Sequence, residues 1–382
     1  MGRPAKGASA PDGPAGTVVV GTYDGGLVGL HAASGAQAFG YAPHAGCVKS
    51  VACSSSGRCA SGGTDHVVRL FDIGKGAELG ELQEHDDTVC CLDFWGTSNL
   101  VTGGVDGLAC VWRCSDWELL LKFRAHKAAL ACLAVHPSGR LMASAARDSS
   151  LRLWDLMRGT SAAVVPVDDV VELLAWSPEG GRLCALSARS ATVVDMAQGG
   201  AVAVFHNPGA SGLMRVSLSA AAFLREGDVL LGDGKGELRA LEFRAAAAPG
   251  PALAEACTLP ADEQRVRVKA IACNHRGAGA AVTFVVGTSS GRVEVWLCRA
   301  PASTASLRLE HFVRVHVVET AVRLTCLAFW SGAGASAAKA ADPLAAAMDE
   351  LADLKRAEED LAEAEGAMAL RPKKKRRRQP AQ

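Results

Sequence analysis

Aromatic side chains are scarce, with Phe, Trp and Tyr making up 5 % of the 382 residues, so no core of stacked large rings is available. The 13 cysteines include no Cys-x-x-Cys pair, which excludes zinc ribbons and dithiol redox motifs and leaves small apolar side chains of a reducing compartment. His206, His275, His311 and His316 lack metal-ligand spacing, so neither a metal nor a cofactor is expected. No stretch offers about 18 uninterrupted apolar residues, and residues 1–16 are rich in Gly, Pro and Ala without a signal-peptide core; neither a membrane span nor secretion is expected. Gly232-Asp233-Gly234-Lys235-Gly236 lacks the earlier glycine and the following hydroxyl of a phosphate loop and reads as a hairpin. Asp168-Asp169 falls in a connecting loop, where adjacent carboxylates do not converge on one substrate. No catalytic residue is assigned, and the chain is read as a non-enzyme.

What the sequence does contain is a repeat. His44, His85 and His126 are 41 residues apart, and each opens the order strand, turn, strand, turn, strand. In the third unit Leu130 to Val135 is followed by the turn His136-Pro137-Ser138-Gly139, a strand at Leu141 to Ala145, a tight connection at Arg147-Asp148-Ser149-Ser150, and an alternating strand ending in Trp154-Asp155. A Trp-Asp ending and a period of about 40 to 45 residues mark the four-stranded blades of WD-repeat propellers.

A polar set travels with the repeat: His44, Ser61, Asp65 and Phe71; His85, Thr102, Asp106 and Trp112; His126, Ser144, Asp148 and Trp154. The offsets let a turn carboxylate hold the imidazole, which meets the hydroxyl, which meets the indole N–H. Phe71 has no N–H, so the first set stops one link short. Because the sets recur with the fold they are read as structural, since a catalytic group would occur once.

Further units start at Val170, Val216 and Val268. The fourth lacks the His and the turn Asp, and the sixth has Ser290 where the Asp would sit. Ala245 to Pro260 reads as an Ala/Pro-rich insertion that obscures strand spacing in the fifth. At the N-terminus Thr17 to Thr22, Leu27 to His31 and Ala36 to Tyr41 supply three strands with none before them; Arg323 to Phe329 supplies the missing one. The expected fold is therefore an all-β, seven-bladed propeller over residues 17–331, closed by pairing of the N- and C-terminal strands. Thr64, Val105 and Arg147, each one residue before a repeated Asp, mark a candidate partner-binding face, with Arg147 the best anchor for an acidic group.

The formal net charge of zero hides a segregation. Residues 342–370 carry nine acidic and two basic side chains, and Asp342-Pro343 is a helix start ahead of Leu344, Met348, Leu351, Leu354, Leu361 and Met368 at helical spacing. A linker and acidic helix are expected over 332–370. Lys373, Lys374, Lys375, Arg376, Arg377 and Arg378 then form six consecutive cations, read as a nuclear-import signal for an acidic receptor, with phosphate-backbone contact as an additional role.

The strings Glu84-His85 to Phe94, Val105-Asp106-Gly107-Leu108 through Val111-Trp112, Trp117-Glu118, Ala125-His126-Lys127, His136-Pro137-Ser138-Gly139-Arg140-Leu141 and Arg323-Leu324-Thr325-Cys326-Leu327 resemble the PAK-kinase-interacting WD-repeat proteins and their fungal Mak-type nucleolar relatives. The resemblance runs from about residue 44 to 330 and is strongest from 84 to 180. It implies a non-catalytic assembly factor for the large ribosomal subunit in the nucleolus, with pre-ribosomal proteins and rRNA as partners. In animal relatives it also implies restraint of a PAK-type protein kinase. The chain departs in its shorter basic tail and in the acidic segment before it. A kinase regulator and a nuclear chromatin or histone adaptor are the alternatives.

Overall fold

The computed structural model describes residues 16–332, apart from 168, 198–199, 211–215, 245–251, 260–264, 275–280 and 300–305. The acidic-helix and basic-tail readings lie outside the described residues, as do residues 1–15 of the Gly-, Pro- and Ala-rich N-terminal stretch expected from its composition to be disordered over 1–16. Gly16 is placed, its carbonyl accepting the Ala32 N–H at 2.9 Å.

Seven antiparallel four-stranded sheets follow one another as blades. Blade one is Val48–Cys53, Arg58–Gly63, Val68–Asp72 and Ala77–Leu82. Blade two is Val89–Trp95, Asn99–Gly104, Leu108–Arg113 and Leu119–Arg124; blade three is Leu130–Val135, Leu141–Ala146, Ser150–Asp155 and Thr160–Pro166. Blade four is Val171–Trp176, Arg182–Ser187, Ser190–Asp195 and Gly200–His206, and blade five is Leu218–Arg225, Asp228–Asp233, Leu238–Arg244 and Ala252–Leu259. Blade six is Val268–Asn274, Val282–Thr288, Arg292–Cys298 and Phe312–Glu319.

The closing blade combines Leu324–Trp330 with Thr17–Thr22, Leu27–His31 and Gln37–Tyr41, in that order. Thr17 to Gly21 pair with Leu27 to His31 on one side and with Cys326 to Trp330 on the other, so neither chain end leaves an open inner edge. Leu30, Val18 and Val20 pack on Val285, Val293 and Leu324, while Val19 and Leu27 pack on Val48, Val51 and Phe71. Burial of these apolar side chains on both flanks holds the ring shut.

Burial follows position within a blade. Second strands such as Asn99–Gly104 and Arg58–Gly63 are covered on both faces, whereas the outer strands Gln37–Tyr41 and Ala77–Leu82 are mostly exposed. Neighbouring blades approach closely at Gly62, where an added Cβ would lie 2.6 Å from Val89; only glycine fits there without displacing that strand.

The Ala/Pro-rich reading of Ala245 to Pro260 needs correction, because Ala252–Leu259 is the outer strand of blade five, paired with Leu238–Arg244. Its alanines have low strand propensity, but the exposed backbone edge of the preceding strand supplies the hydrogen bonds and Leu253 and Leu259 are buried. None of the thirteen cysteines is in a disulfide; burial pushes Cys110 and Cys184 up to about 12, so both remain protonated packing groups.

Candidate functional site

The repeated polar sets are assembled inside blades one to three. His44 donates from Nδ1 to Asp65 Oδ1 at 2.9 Å, and its Nε2 accepts from Ser61 at 2.8 Å. His85 repeats this with Asp106 (3.0 Å) and Thr102 (2.8 Å), and the Trp112 indole donates to Thr102 at 3.2 Å. In blade one Phe71 stacks on Tyr41 with ring centroids 5.4 Å apart, so packing occupies the place of the missing N–H. Each imidazole lies under its loop and is sealed from solvent, as a satisfied interior network requires.

The third set departs from the direct carboxylate link. Trp154 donates to Ser144 at 2.9 Å and Ser144 meets His126 Nε2 at 2.8 Å, but Asp148 is 3.6 Å from His126 Nδ1. Ser150 fills the gap: it lies 3.2 Å from His126 Nδ1 and donates to Asp148 at 2.6 Å. The reason is local, since Val67 and Leu108 stand where Ser150 stands and have no hydroxyl to insert. Burial favours a neutral His126 and, despite Asp148, holds it below the ordinary histidine value. Protonation therefore favours the unfolded chain, and this set loses stability as pH falls below about 6.5. Burial opposes ionisation of Asp65, but the His44 hydrogen bond and charge outweigh it and hold the carboxyl below its usual range.

Blade six fills the same place with ions. Arg265 takes the loop position of the repeated histidines: its carbonyl faces Gly236 as the carbonyls of His44 and His126 face Gly25 and Gly107. Its guanidinium forks onto Glu294 at 2.6 and 3.2 Å, Arg292 donates to the same carboxylate at 2.9 Å, and Trp296 adds its indole N–H at 3.0 Å. The side chains of Arg265 and Glu294 are wholly buried. Burial opposes the charge on Glu294, but the arginines outweigh it and hold the carboxyl below its usual value. Sequence reasoning missed this cluster, and Ser290 instead meets Thr288 at 3.0 Å.

These sets anchor the loops of one face. The Thr64, Val105 and Arg147 N–H groups donate at 2.9–3.0 Å to the carbonyls of Cys47, Thr88 and Ala129, which sit just ahead of the inner strands. The candidate face residues are thus brought to one rim; Arg147 is exposed, while Thr64 and Val105 are half-buried. Tyr23 and Ser289 hold the same place in the closing blade and blade six, their N–H groups bonding Arg323 and Arg267 at 2.9 Å. Tyr23 is 51 % exposed and lies under the Arg323 guanidinium at 4.6 Å, a residue the sequence reading passed over.

The inner strands enclose a cavity of about 540 Å³ lined in part by Ser50, Asp93, Leu133, Leu174, Phe223 and Ile271. Asp93 accepts the Val135 N–H at 2.7 Å across a blade boundary, and burial pushes its carboxyl up to about 6. Among the described residues no group of three or more His, Cys, Asp or Glu side chains is arranged to hold a metal. No described helix is long and apolar enough to cross a membrane. Asp169 is placed in the loop between blades three and four, within 3.8 Å of Arg189, and Asp168 lies outside the described residues. Gly232 to Gly236 form the expected hairpin, with the Lys235 and Glu237 N–H groups donating to Asp233 at 2.9 Å.

The WD domain, G-beta repeat model matches residues 37–72, 76–113 and 117–155, which contain all three polar sets. The chain is similar to p21-activated protein kinase-interacting protein 1-like of Danio rerio, 44 % identical over 34 % of this chain and 35 % of the relative. The Xenopus laevis protein of that name is 29 % identical over 72 % of this chain and 69 % of its own length. Shk1 kinase-binding protein 15 of Schizosaccharomyces pombe is 30 % identical over 31 % of this chain and 36 % of its own. The match thus spans about a third of the zebrafish and fission-yeast relatives. The solved structure of U3-55K superposes with a TM-score of 0.62 over 72 % of this chain and 85 % of that one, at 16 % identity, which shows a shared fold.

Proposed function

We propose that this WD-repeat propeller, related in sequence to the p21-activated protein kinase-interacting proteins, is a non-catalytic scaffold that assembles or matures the precursor of the large ribosomal subunit in the nucleolus. The observation that carries the docking part is the rim itself. Buried sets fix its loops from beneath, while Arg147, Tyr23 and Arg323 remain presented to a partner. The assembly part rests on the family resemblance of residues 44–330 and on the six-cation run Lys373 to Arg378, whose chemistry suits an import receptor and, secondarily, rRNA phosphates.

A second reading is favoured by the relatives' names, which speak of kinase interaction and kinase binding: a protein that holds a PAK-type kinase, with the negative regulation that the family resemblance implies. Affinity purification of the tagged chain from nuclear extract, with and without RNase, separates the two. Large-subunit precursor proteins and rRNA in the full-length sample, lost from a chain ending at Leu370, support assembly. Recovery of a kinase without ribosomal material, and unchanged nuclear entry of the shortened chain, would replace it with the regulatory reading.

A further inference from the structure

Every inner strand carries an irregularity one residue from its start, so that the same position bulges in all seven blades: Lys49, Cys90, Ala131, Glu172, Ser219, Lys269 and Thr325. A bulge re-aims its side chain; Cys90, Ala131 and Glu172 line the central cavity, and the other four bulges hold the equivalent place at the start of their own inner strands. Three of the residues stitch blades together. Cys90, Ser219 and Thr325 donate to the carbonyls of Leu130, Val268 and Val48 in the following blade, at 3.3, 2.6 and 2.7 Å.

The charged members do nothing of the kind. The side chains of Lys49, Glu172 and Lys269 make no hydrogen bond or ion pair with another described residue, and Lys49 and Glu172 are exposed. Lys269 sits on blade six and Lys49 on blade one, flanking the closing blade; Arg267 and Arg323 stand immediately ahead of the inner strands there. Among the described residues no carboxylate pairs with any of these four cations. Burial and the charges of Arg267, Arg323 and Lys49 together push the Lys269 ammonium below its usual value, which shows that the four share one field. Across the mouth, on blade four, the corresponding bulge is the carboxylate Glu172.

We propose that this cationic sector, Lys49, Arg267, Lys269 and Arg323, docks an unmodified Asp/Glu-rich segment of a partner protein laid along its own side of the mouth of the ring, over blade six, the closing blade and blade one. The proposal deepens the docking reading of this rim. Uncompensated like charges attract an anion strongly where the wall restricts solvent. The cations are spread over three blades, and the Arg323 fork is committed to the Tyr23 ring, so distributed carboxylates fit better than one phosphate dianion. A long polyanion such as RNA would continue across the ring toward Glu172, where it is repelled; a short acidic segment need not.

The test is fluorescence anisotropy with a labelled twelve-residue Asp/Glu peptide and the full chain, in which Lys373 to Arg378 are replaced by Gln so that the tail does not compete. Binding at least tenfold tighter than to the matched Asn/Gln peptide, weakening with salt, is expected. Lys49→Glu, Arg267→Glu and Lys269→Glu combined lower affinity at least tenfold with an unchanged melting temperature, whereas Arg158→Glu on an outer turn does not. Equal binding of the neutral peptide, or unchanged affinity in the folded triple variant, overturns the proposal. Preference for a phosphoserine peptide or for single-stranded RNA of equal length also overturns it. The readout is independent of ribosomal co-purification, so the mouth proposal and the assembly reading fail separately.

Discussion

In blade two His85 reaches from the loop before the inner strand to Thr102, with Asp106 behind it and the Trp112 N–H on the same hydroxyl. In blade six Arg265 reaches from the corresponding loop to Glu294, with Arg292 beside it and the Trp296 N–H on that carboxylate. The loop position and the indole are common to both, although the turn residue with positive φ ahead of His85 is His66 and that ahead of Arg265 is Gly236; the polar filling between loop and indole differs. The fold thus requires that the loop be tied to the indole of the third strand and accepts either neutral or ionic ties. The costs of breaking them differ, because removing the turn carboxylate behind an imidazole leaves a ring N–H unpaired, whereas removing the carboxylate of blade six leaves a buried guanidinium charge.

Cutting blade six should therefore have the largest effect. Glu294→Ala leaves the buried Arg265 guanidinium without its carboxylate, while Arg292 keeps Glu319 at 3.1 Å, and is expected to cost about 3 to 5 kcal/mol in urea unfolding. A loss near 1 kcal/mol would show that water reaches the arginines and that the two blades are not so different. Next comes Asp65→Ala, which leaves His44 Nδ1 without its acceptor and should cost about 1 to 3 kcal/mol. The matching Asp148→Ala should cost less, below about 1 kcal/mol, because Ser150 still bonds His126. Equal losses at the two positions would mean that Ser150 carries no load, and Asp148→Ala/Ser150→Ala should restore the larger cost.

The inner wall adds a pH-dependent contrast. Asp93 has a folded value of about 6, above the ordinary aspartate value near 3.8, so ionised Asp93 destabilises the fold fully above pH 6 and not below about pH 4. Asp93→Asn is expected to raise stability by about 1 to 2 kcal/mol at pH 8 and to change nothing at pH 3.5. A uniform effect across that range would assign the change to the Val135 hydrogen bond instead.

The neutral sets were legible in the sequence because hydroxyl, carboxylate and aromatic keep fixed offsets within units 41 residues apart. Ring closure was legible because three strands without a first and a first strand without three others lie at opposite ends. The blade-six cluster was not legible: Arg265, Arg292 and Glu294 are residue types that ordinarily face solvent, and their convergence depends on pairing across two loops. Ser150 was hidden for a related reason, since a serine in a turn signals only the turn. The bulge ring did leave a signal, for Lys49, Cys90 and Ala131 each follow a repeated histidine by five residues, but an offset alone does not say that a strand bulges.

The buried sets supply structure and the mouth is the proposed place of recognition, a division addressed directly by one comparison: quantitative recovery of partners at 20 °C by the Lys49→Glu/Arg267→Glu/Lys269→Glu chain and by the Asp106→Ala chain, each with its melting temperature. The first is predicted to lose partners at an unchanged melting temperature, and the second to keep them at a lowered one. Full recovery by the mouth variant, or loss of partners by a still-folded Asp106→Ala chain, would contradict it.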